Sequence, residues 1–441
     1  MPVPVFVPGS TTRLALAVKS ALHAGGRVGV VHYVAAIFSV QGVAYLNQFM
    51  IARVVGPEDF AVVRTVEATL NVLLVAASLG MPMLAVTTIA GLADERAQGR
   101  MLGSLVALAV LGGLATAALT FLASGVLAPV QARYLGIMVW VLPLAAASRT
   151  TLNYFQGRLQ VQRVAGYMVA LSLISLGIVV VAVIKAGLNG WVIGRYLTEV
   201  LFLALLLWGV GSSLSLSGGI PGGHRVRSLL GAGSGIAASL LIRTGMDNAG
   251  LYLLVFSGAP DTTVGYFGLS SLVLIALSIV PTSLASIALP RMVARTRDPV
   301  ALHALVRRVG GAIIAVALVL AGAAALLARP VVDLLFPSYR EASPILLLLL
   351  VAVPFRAIST LSGVVLVACD RVGMTVWTNL LALVVTTLVW VAGTSQWGAI
   401  GTAAAVIAGE VVSAGAYVVA ARSSLATASG EPAAGKGARH V

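Results

Sequence analysis

The sequence predicts an all-α integral membrane protein of about twelve transmembrane helices, in two six-helix lobes related by a parallel pseudo-repeat. Only 10% of the 441 residues are charged and 59% are hydrophobic, whereas soluble domains carry about a quarter charged residues. Uncharged runs of the length that a helix needs to cross a bilayer, about 20 residues, recur along the chain. A glycine-rich segment near the midpoint separates two sets of six such runs.

The predicted spans follow these apolar runs, which are too long and too uniformly apolar for barrel strands of about ten residues with alternating polarity. The spans are 28–51, 62–90, 102–124, 134–157, 164–185, 191–211, 228–256, 262–289, 309–328, 342–368, 373–392 and 398–420. The predicted domains are a cytoplasmic N-terminal segment (1–27), an N-lobe (28–211), a cytoplasmic linker (212–227), a C-lobe (228–420) and a polar cytoplasmic tail (421–441).

Basic residues orient the predicted bundle. With twelve spans both termini share one side of the membrane, and eighteen of the 28 Lys and Arg residues fall there, against six on the other side. Because cytoplasmic loops carry the excess of positive charge, both termini are predicted to be cytoplasmic. The net charge of +14 is therefore explained by topology, and residues so scattered among short loops predict no nucleic-acid partner.

The two halves share landmarks that suggest a parallel repeat. Gly56 and Pro57 follow the first span, and Gly258 and Pro260 follow the seventh, an offset of about 202 residues. The sixth and twelfth spans each contain one glutamate. In transporters built from such repeats, substrates bind between the halves near the membrane midplane.

Charged side chains within spans are the main functional candidates, because each costs about 2.5–3.5 kcal/mol at a helix centre and therefore usually faces the bundle interior or a wet cavity. The candidates are Arg149, Arg195, Glu199, Arg243, Asp247, Arg356 and Glu410, with Arg64 and Glu67 nearer an outer helix end.

Four of these charges form two pairs with i, i+4 spacing, Arg195 with Glu199 and Arg243 with Asp247. This spacing places opposite charges on one helix face, where they can neutralise each other. The predicted role of Asp247, Glu410 and the Arg195/Glu199 pair is therefore either ion coupling or structural pairing.

Arg149 and Arg356 have no acid within one helical turn. Unpaired arginines on corresponding helices of two halves would suit bidentate recognition of phosphate oxygens. The alternative is that each lies near the cytoplasmic end and extends its head group into water. Four amides are predicted to line a polar cavity, or else to hydrogen-bond between helices: Asn47, Gln48, Asn71 and Asn153.

Other chemistry is not expected. With one cysteine and five widely separated histidines, no metal site or cysteine cluster is predicted, and neither a catalytic residue nor a cofactor is predicted. Gly430 to Lys436 has P-loop spacing, but Gly437 replaces the required Ser or Thr, so no ATP is expected. The run Gly231-Ala232-Gly233-Ser234-Gly235 follows no strand, and close helix packing explains it better than a dinucleotide site.

Two segments carry a family resemblance. The first span ends in Ala-Arg-Val-Val-Gly-Pro-Glu-Asp-Phe-Ala (52–61), and the second closes on Leu-Gly-Met-Pro (79–82). With the two-lobe topology, this resembles the polysaccharide flippases of the multidrug, oligosaccharidyl-lipid and polysaccharide exporter superfamily. A fainter echo in the second half, an acid followed by a Gly-Tyr pair, is matched by Asp247 and Gly265-Tyr266.

The resemblance implies two six-helix lobes around a V-shaped cavity, with Arg149, Arg243 and Arg356 as cationic cavity positions. It implies alternating-access transport of a lipid-linked (polyprenyl-pyrophosphate) oligosaccharide across the cytoplasmic, or inner, membrane for cell-surface polysaccharide biosynthesis. The implied partners are a lipid-linked anionic saccharide, membrane lipids and polysaccharide assembly proteins. The polar tail, where the lipid II branch usually has two further helices, argues against that branch.

Three alternative functions would each require sequence features that differ from those of a flippase. A cation-coupled exporter of drugs or metabolites needs acids in its cavity, which the intramembrane arginines disfavour. A membrane glycosyltransferase or polymerase needs a catalytic loop or domain outside the membrane, and no predicted loop is large enough. A non-transporting scaffold needs no buried charges.

Overall fold

The computed structural model describes part of the chain, residues 26–92, 94–123, 129–158, 160–211, 223–293, 295–296, 298–369, 371, 373–392 and 394–430. The predicted N-terminal segment up to residue 25, most of the predicted linker (212–222) and the end of the predicted tail (431–441) lie outside the described residues.

Within the described ranges the chain forms α-helices and no strand. The helices are α1 (Gly26–Ser78), α2 (Met81–Ile89), α3 (Glu95–Ala123), α4 (Pro129–Met138), α5 (Leu142–Gly157), α6 (Val161–Val210), α7 (Gly223–Phe256), α8 (Asp261–Val293), α9 (Pro299–Leu335), α10 (Ala342–Leu350), α11 (Ala352–Ala368), α12 (Gly373–Ala392) and α13 (Gly398–Gly430). Three-residue or four-residue 3-10 turns lie at Val139–Val141, Pro337–Tyr339 and Thr394–Trp397.

Many of these helices have the length and the composition of a membrane-spanning helix. Nine candidate spans are long and apolar enough to cross a bilayer in the described part of the chain. The prediction of an all-α membrane protein is therefore confirmed. The count of twelve spans stays a prediction.

Two of the nine candidates are longer than one crossing and contain a kink. The candidate Gln41–Ser78 contains Gly56, whose φ of 79° is not helical. The candidate Arg163–Val210 contains Ala186 and Gly187, with φ of −141° and 53°. Both kinks lie where the sequence predicts a loop between consecutive spans.

The second predicted span, 62–90, is interrupted. Helix α1 ends at Ser78, Leu79 and Gly80 have left-handed φ of 50° and 76°, and α2 begins at Met81. Pro82 lies in the first turn of α2, where its missing N–H has no helical partner to lose. The proline therefore starts a new helix, and does not kink a continuous one.

Two compact units make up the described residues, and the division falls within α8. The first unit extends to Leu269, and the second begins at Ser270. In the first unit α1 packs on α6, and α5 packs on α2, α3 and α6. In the second unit α13 packs on α11 and α12, and α9 packs on α11. The predicted lobes, divided at 212–227, stay a prediction.

The turn before α2 packs against α7 with the two backbones in direct contact. A Cβ atom on Gly233 would lie 2.2 Å from the carbonyl oxygen of Leu79, and one on Gly80 would lie 2.5 Å from the carbonyl oxygen of Gly233. Neither position has room for a side chain. Close helix packing therefore accounts for the glycine of α7 at this position, as the sequence predicts.

The substitution Gly233→Ala is expected to destabilise the protein by about 1–3 kcal/mol, because the added methyl group forces the Leu79 backbone away. The measurement is thermal unfolding of the detergent-purified protein. Gly231→Ala is the matched control, since nothing lies within 4 Å of a Cβ atom at Gly231 and alanine favours a helix. Equal melting temperatures for the two variants would contradict the expectation.

The segment 52–61 and the Gly265-Tyr266 pair, which both contribute to the family resemblance, lie in contact in the first unit. A Cβ atom on Gly265 would lie 2.0 Å from the carbonyl oxygen of Pro57, and one on Gly268 would lie 3.0 Å from Cγ of Arg64. The start of α8 therefore packs directly on the backbone of the kink in α1.

Some helices extend beyond their predicted spans. Helix α9 begins at Pro299, ten residues before the predicted start, because the side chain of Asp298 accepts a hydrogen bond from the Ala301 N–H at 3.0 Å and caps the helix. Helix α13 continues to Gly430, ten residues into the predicted tail. The length of an apolar run predicts which residues cross the membrane, but it does not predict where the whole helix begins and ends.

The single cysteine offers a test of the predicted orientation. Cys369 directly follows α11 and is partly buried, which raises the pKa of its thiol, while Arg371 lowers it less. Because only the thiolate reacts, labelling of the natural protein by a maleimide is expected to be slow near neutral pH and faster as the pH rises.

A membrane-impermeant maleimide is expected to label Cys369 in inside-out vesicles and not in intact cells, since the loop after the tenth predicted span is predicted to be cytoplasmic. The variant Cys369→Ser measures background labelling. Labelling of intact cells would overturn the predicted orientation.

Candidate functional site

Helix α5 is buried on nearly every side by α2, α3 and α6. Arg149 is exposed although its neighbours Ser148 and Thr150 are completely buried. Asn153 and Gln156, four and seven residues later, are partly exposed. This spacing places the three side chains on one face, so the open side of α5 carries a polar stripe consisting of Arg149, Asn153 and Gln156.

The guanidinium of Arg149 forms no hydrogen bond or ion pair with any residue that the structure describes. The backbone carbonyl oxygen of Arg149 accepts a hydrogen bond from Nδ2 of Asn153 at 2.8 Å, which leaves the amide oxygen of Asn153 available. An exposed, unpaired guanidinium in a transmembrane helix is costly against lipid and favourable in a wet cavity.

Two charged residues of α6, Glu199 and Arg195, lie within electrostatic range of Arg149. Nη2 of Arg195 lies 2.9 Å from Oε1 of Glu199, so the predicted i, i+4 ion pair is present. Glu199 is buried, whereas about a third of the Arg195 side chain is exposed. The three side chains carry one net positive charge and form an arginine cluster of Arg149, Arg195 and Glu199.

The second predicted i, i+4 pair is also present. Nη2 of Arg243 lies 3.3 Å from Oδ1 of Asp247 on α7, and both side chains are partly exposed. This pair belongs to the first unit. Arg243 is therefore a neutralised cation in this structure, in contrast to Arg149.

Arg356 and Glu410 form a buried ion pair in the second unit. Nε of Arg356 on α11 lies 3.8 Å from Oε1 of Glu410 on α13, with side-chain exposures of 7% and 4%. Oε2 of Glu410 is buried without a hydrogen-bond partner among the described residues. Arg149 and Arg356 thus belong to different compact units, and their joint cationic cavity stays a prediction.

The predicted cavity amides have different environments. Asn71 is exposed and Asn153 is partly exposed. The amide oxygens of Asn47 and Gln48 are buried without a hydrogen-bond partner in the described part of the chain. Nε2 of Gln48 donates to Oε2 of Glu67 at 2.6 Å, so the nitrogen of this amide joins two parts of α1.

Glu67 is the centre of a polar cluster that the sequence did not reveal. In addition to Gln48, it accepts a hydrogen bond from Nε1 of Trp191 on α6 at 3.3 Å. The buried Arg64 interacts electrostatically with Glu67 and with Tyr252 of α7. The only signal in the sequence is the presence of Arg64 and Glu67 in one span, because the partners on α6 and α7 come from tertiary packing.

Metal ligation has no support among the described side chains, where no group of three or more His, Cys, Asp or Glu residues could hold an ion. The arginine cluster and the stripe on α5 instead suit recognition of an anion with hydroxyl groups beside it. Guanidinium groups bind phosphate oxygens with two parallel hydrogen bonds, and amides bind hydroxyls.

A family described as "Polysaccharide biosynthesis protein" matches residues 50–344, which is more than half of the chain. The chain belongs to this family. The match contains the residues that carry the resemblance, which are 52–61, 79–82, Asp247 and Gly265-Tyr266. The predicted membership of the polysaccharide flippase family is confirmed. A search of curated protein sequences found no match.

Solved structures share the fold of this polysaccharide biosynthesis protein at low sequence identity. An inward-facing multidrug resistance MATE family transporter of the MOP superfamily has a TM-score of 0.75 at 13% identity, covering 89% of this chain and 99% of its own. The lipid II flippase MurJ in an inward closed conformation has a TM-score of 0.74 at 12% identity, covering 90% of both chains.

A third similar structure is a MOP superfamily transporter from Pyrococcus furiosus, with a TM-score of 0.65 at 14% identity, covering 91% of this chain and 96% of its own. These similarities are to transporters and flippases, and not to enzymes. The family member described here is therefore a multi-pass membrane protein with the fold of MOP superfamily transporters.

Proposed function

We propose that this protein is a flippase that moves a lipid-linked, polyprenyl-pyrophosphate oligosaccharide from the cytoplasmic to the outer leaflet of the cytoplasmic membrane. Its product would supply cell-surface polysaccharide biosynthesis and be received by polysaccharide assembly proteins. The observation that carries the proposal is the exposed guanidinium of Arg149, which forms no ion pair with a described residue, on a helix that is mostly buried.

The stripe on α5 matches the parts of such a substrate. The guanidinium of Arg149 would bind the pyrophosphate through charge-assisted hydrogen bonds. The side chains of Asn153 and Gln156 follow on the same face and would bind sugar hydroxyls. The polyprenyl tail is as apolar as the bilayer and would stay in it.

Two findings from the comparisons support this substrate class. The family is one of polysaccharide biosynthesis, and one protein of the same fold is a lipid II flippase. Alternating access would carry the pyrophosphate across, and the membrane potential or a coupled cation at Asp247 or Glu410 would give the transport its direction.

A second candidate function is cation-coupled export of drugs or metabolites, which the fold of the multidrug MATE transporter favours. Cationic drugs would need an acidic cavity. The net positive charge of the arginine cluster opposes them, so the flippase is the better proposal.

The deciding experiment reconstitutes the full chain into proteoliposomes and follows a fluorescent polyprenyl-pyrophosphate saccharide from one leaflet to the other. Transfer above that of protein-free liposomes is the expected result. A chain that leaves this lipid in place and instead expels a cationic dye under an ion gradient would replace the flippase with the drug exporter.

A further inference from the structure

Glu199 is a buried carboxylate shared by two guanidinium groups. It forms an ion pair with Arg195 at 2.9 Å, and it attracts Arg149, which forms no contact ion pair with any residue that the structure describes. Arg149 and Arg195 repel each other, and Glu199 offsets that repulsion. The carboxylate therefore occupies the electrostatic position that an anionic ligand of the two arginines would take.

The helices packed against this part of α6 are α5 and α1. Helix α5 contributes Arg149. Helix α1 contributes Glu67 and the buried Arg64, which interact with each other, and Glu67 accepts a hydrogen bond from Trp191, eight residues and thus about 12 Å before Glu199 along the helix. The first part of α6 carries no charged residue from 169 to 184. The cations that interact with Glu199 among the described residues are therefore Arg195 and Arg149.

We propose that Glu199 is an internal counter-ion that holds the arginine cluster together without substrate and is displaced when the pyrophosphate binds. This inference rests on the proposed function. The pyrophosphate carries more charge than one carboxylate, so both guanidinium groups turn to it. The carboxylate, left buried without a cation, takes one proton from water, because an isolated buried charge is strongly disfavoured.

Release of the substrate reverses these steps. Glu199 returns its proton to water and recovers Arg195, which competes the pyrophosphate away from the cluster. Substrate binding therefore takes up one proton and is favoured as the pH falls. Without the carboxylate the cluster binds the anion more tightly and releases it more slowly.

The test measures binding of a fluorescent short-chain polyprenyl pyrophosphate to the purified full chain, and its transfer in proteoliposomes, for wild type and Glu199→Gln. The variant is expected to bind the probe about tenfold more tightly and to transfer it more slowly. Lowering the pH from about 8 to about 6 is expected to strengthen binding more for wild type than for the variant. Protonation of the pyrophosphate probe changes its binding to wild type and to the variant by the same factor.

The matched control is Asp333→Asn, which removes the acid of an exposed ion pair with Arg340 and should behave as wild type. If Glu199→Gln cannot be purified, Glu199→Asp replaces it, since its shorter side chain holds Arg195 more weakly and should also tighten binding. Tighter binding with slower transfer is not expected from a merely structural glutamate.

Two failures are distinguishable. A wild-type protein that neither binds nor transfers the probe would overturn the proposed function. A wild-type protein that binds it through Arg149, with equal or weaker binding in the Glu199 variant, or with the same pH dependence in both, would overturn only the counter-ion role.

Discussion

Replacing Arg149 with alanine is expected to lower the transfer of a polyprenyl-pyrophosphate saccharide by at least about a hundredfold. Arg149 supplies the exposed guanidinium of the arginine cluster, and this guanidinium forms no ion pair within the described ranges. Two hydrogen bonds to a charged group contribute about 1.5–3 kcal/mol each, and each 1.4 kcal/mol is a factor of about ten. The measurement is initial transfer rate in proteoliposomes at equal protein content.

Two further variants separate charge from geometry. Arg149→Lys keeps the charge without the planar fork that binds two phosphate oxygens, so an intermediate rate is expected. Arg340→Ala removes an arginine of an exposed pair and serves as the control with a normal rate. An unchanged rate for Arg149→Ala would remove the stripe on α5 from the substrate path.

Replacing Arg356 with alanine is expected to lower the stability of the protein by about 3–5 kcal/mol, the cost of leaving one member of a buried ion pair alone. Glu410, with 4% of its side chain exposed and one oxygen unpartnered, would remain charged without a cation or become protonated. The melting temperature in detergent measures this effect.

The double variant Arg356→Met with Glu410→Gln is expected to recover most of that stability, because it removes both charges together. Arg340→Ala breaks an exposed pair instead and should have little effect. If Arg356→Ala melts as wild type does and yet loses transfer, Arg356 acts on the substrate as a cavity cation.

The apolar runs predicted the helices closely where polar residues or glycine flank them in the sequence. Helix α12 begins and ends at the predicted residues, 373 and 392. The predicted span 342–368 is also present, although Val351 divides it into α10 and α11. The break at Leu79 and Gly80 lies within a continuous apolar run, so the apolar pattern alone did not predict it.

The candidate site was predictable only where one helix supplies both partners. The spacing of Arg195 and Glu199 fixes their proximity, and the ion pair is present. The pairing of Arg356 with Glu410 spans two helices, and the exposure of Arg149 depends on which faces of α5 its neighbours cover. Both follow from tertiary packing, which local spacing does not encode.

The placement of Arg149 on α5 also has a consequence for biosynthesis. The candidate span Val130–Gly157 is the least apolar of the nine, and the next, Arg163–Val210, is the most apolar. A nascent helix carrying an unpaired arginine enters the bilayer poorly on its own. The growing chain is therefore expected to insert α5 stably only after α6 has emerged from the ribosome and brought Glu199 beside it.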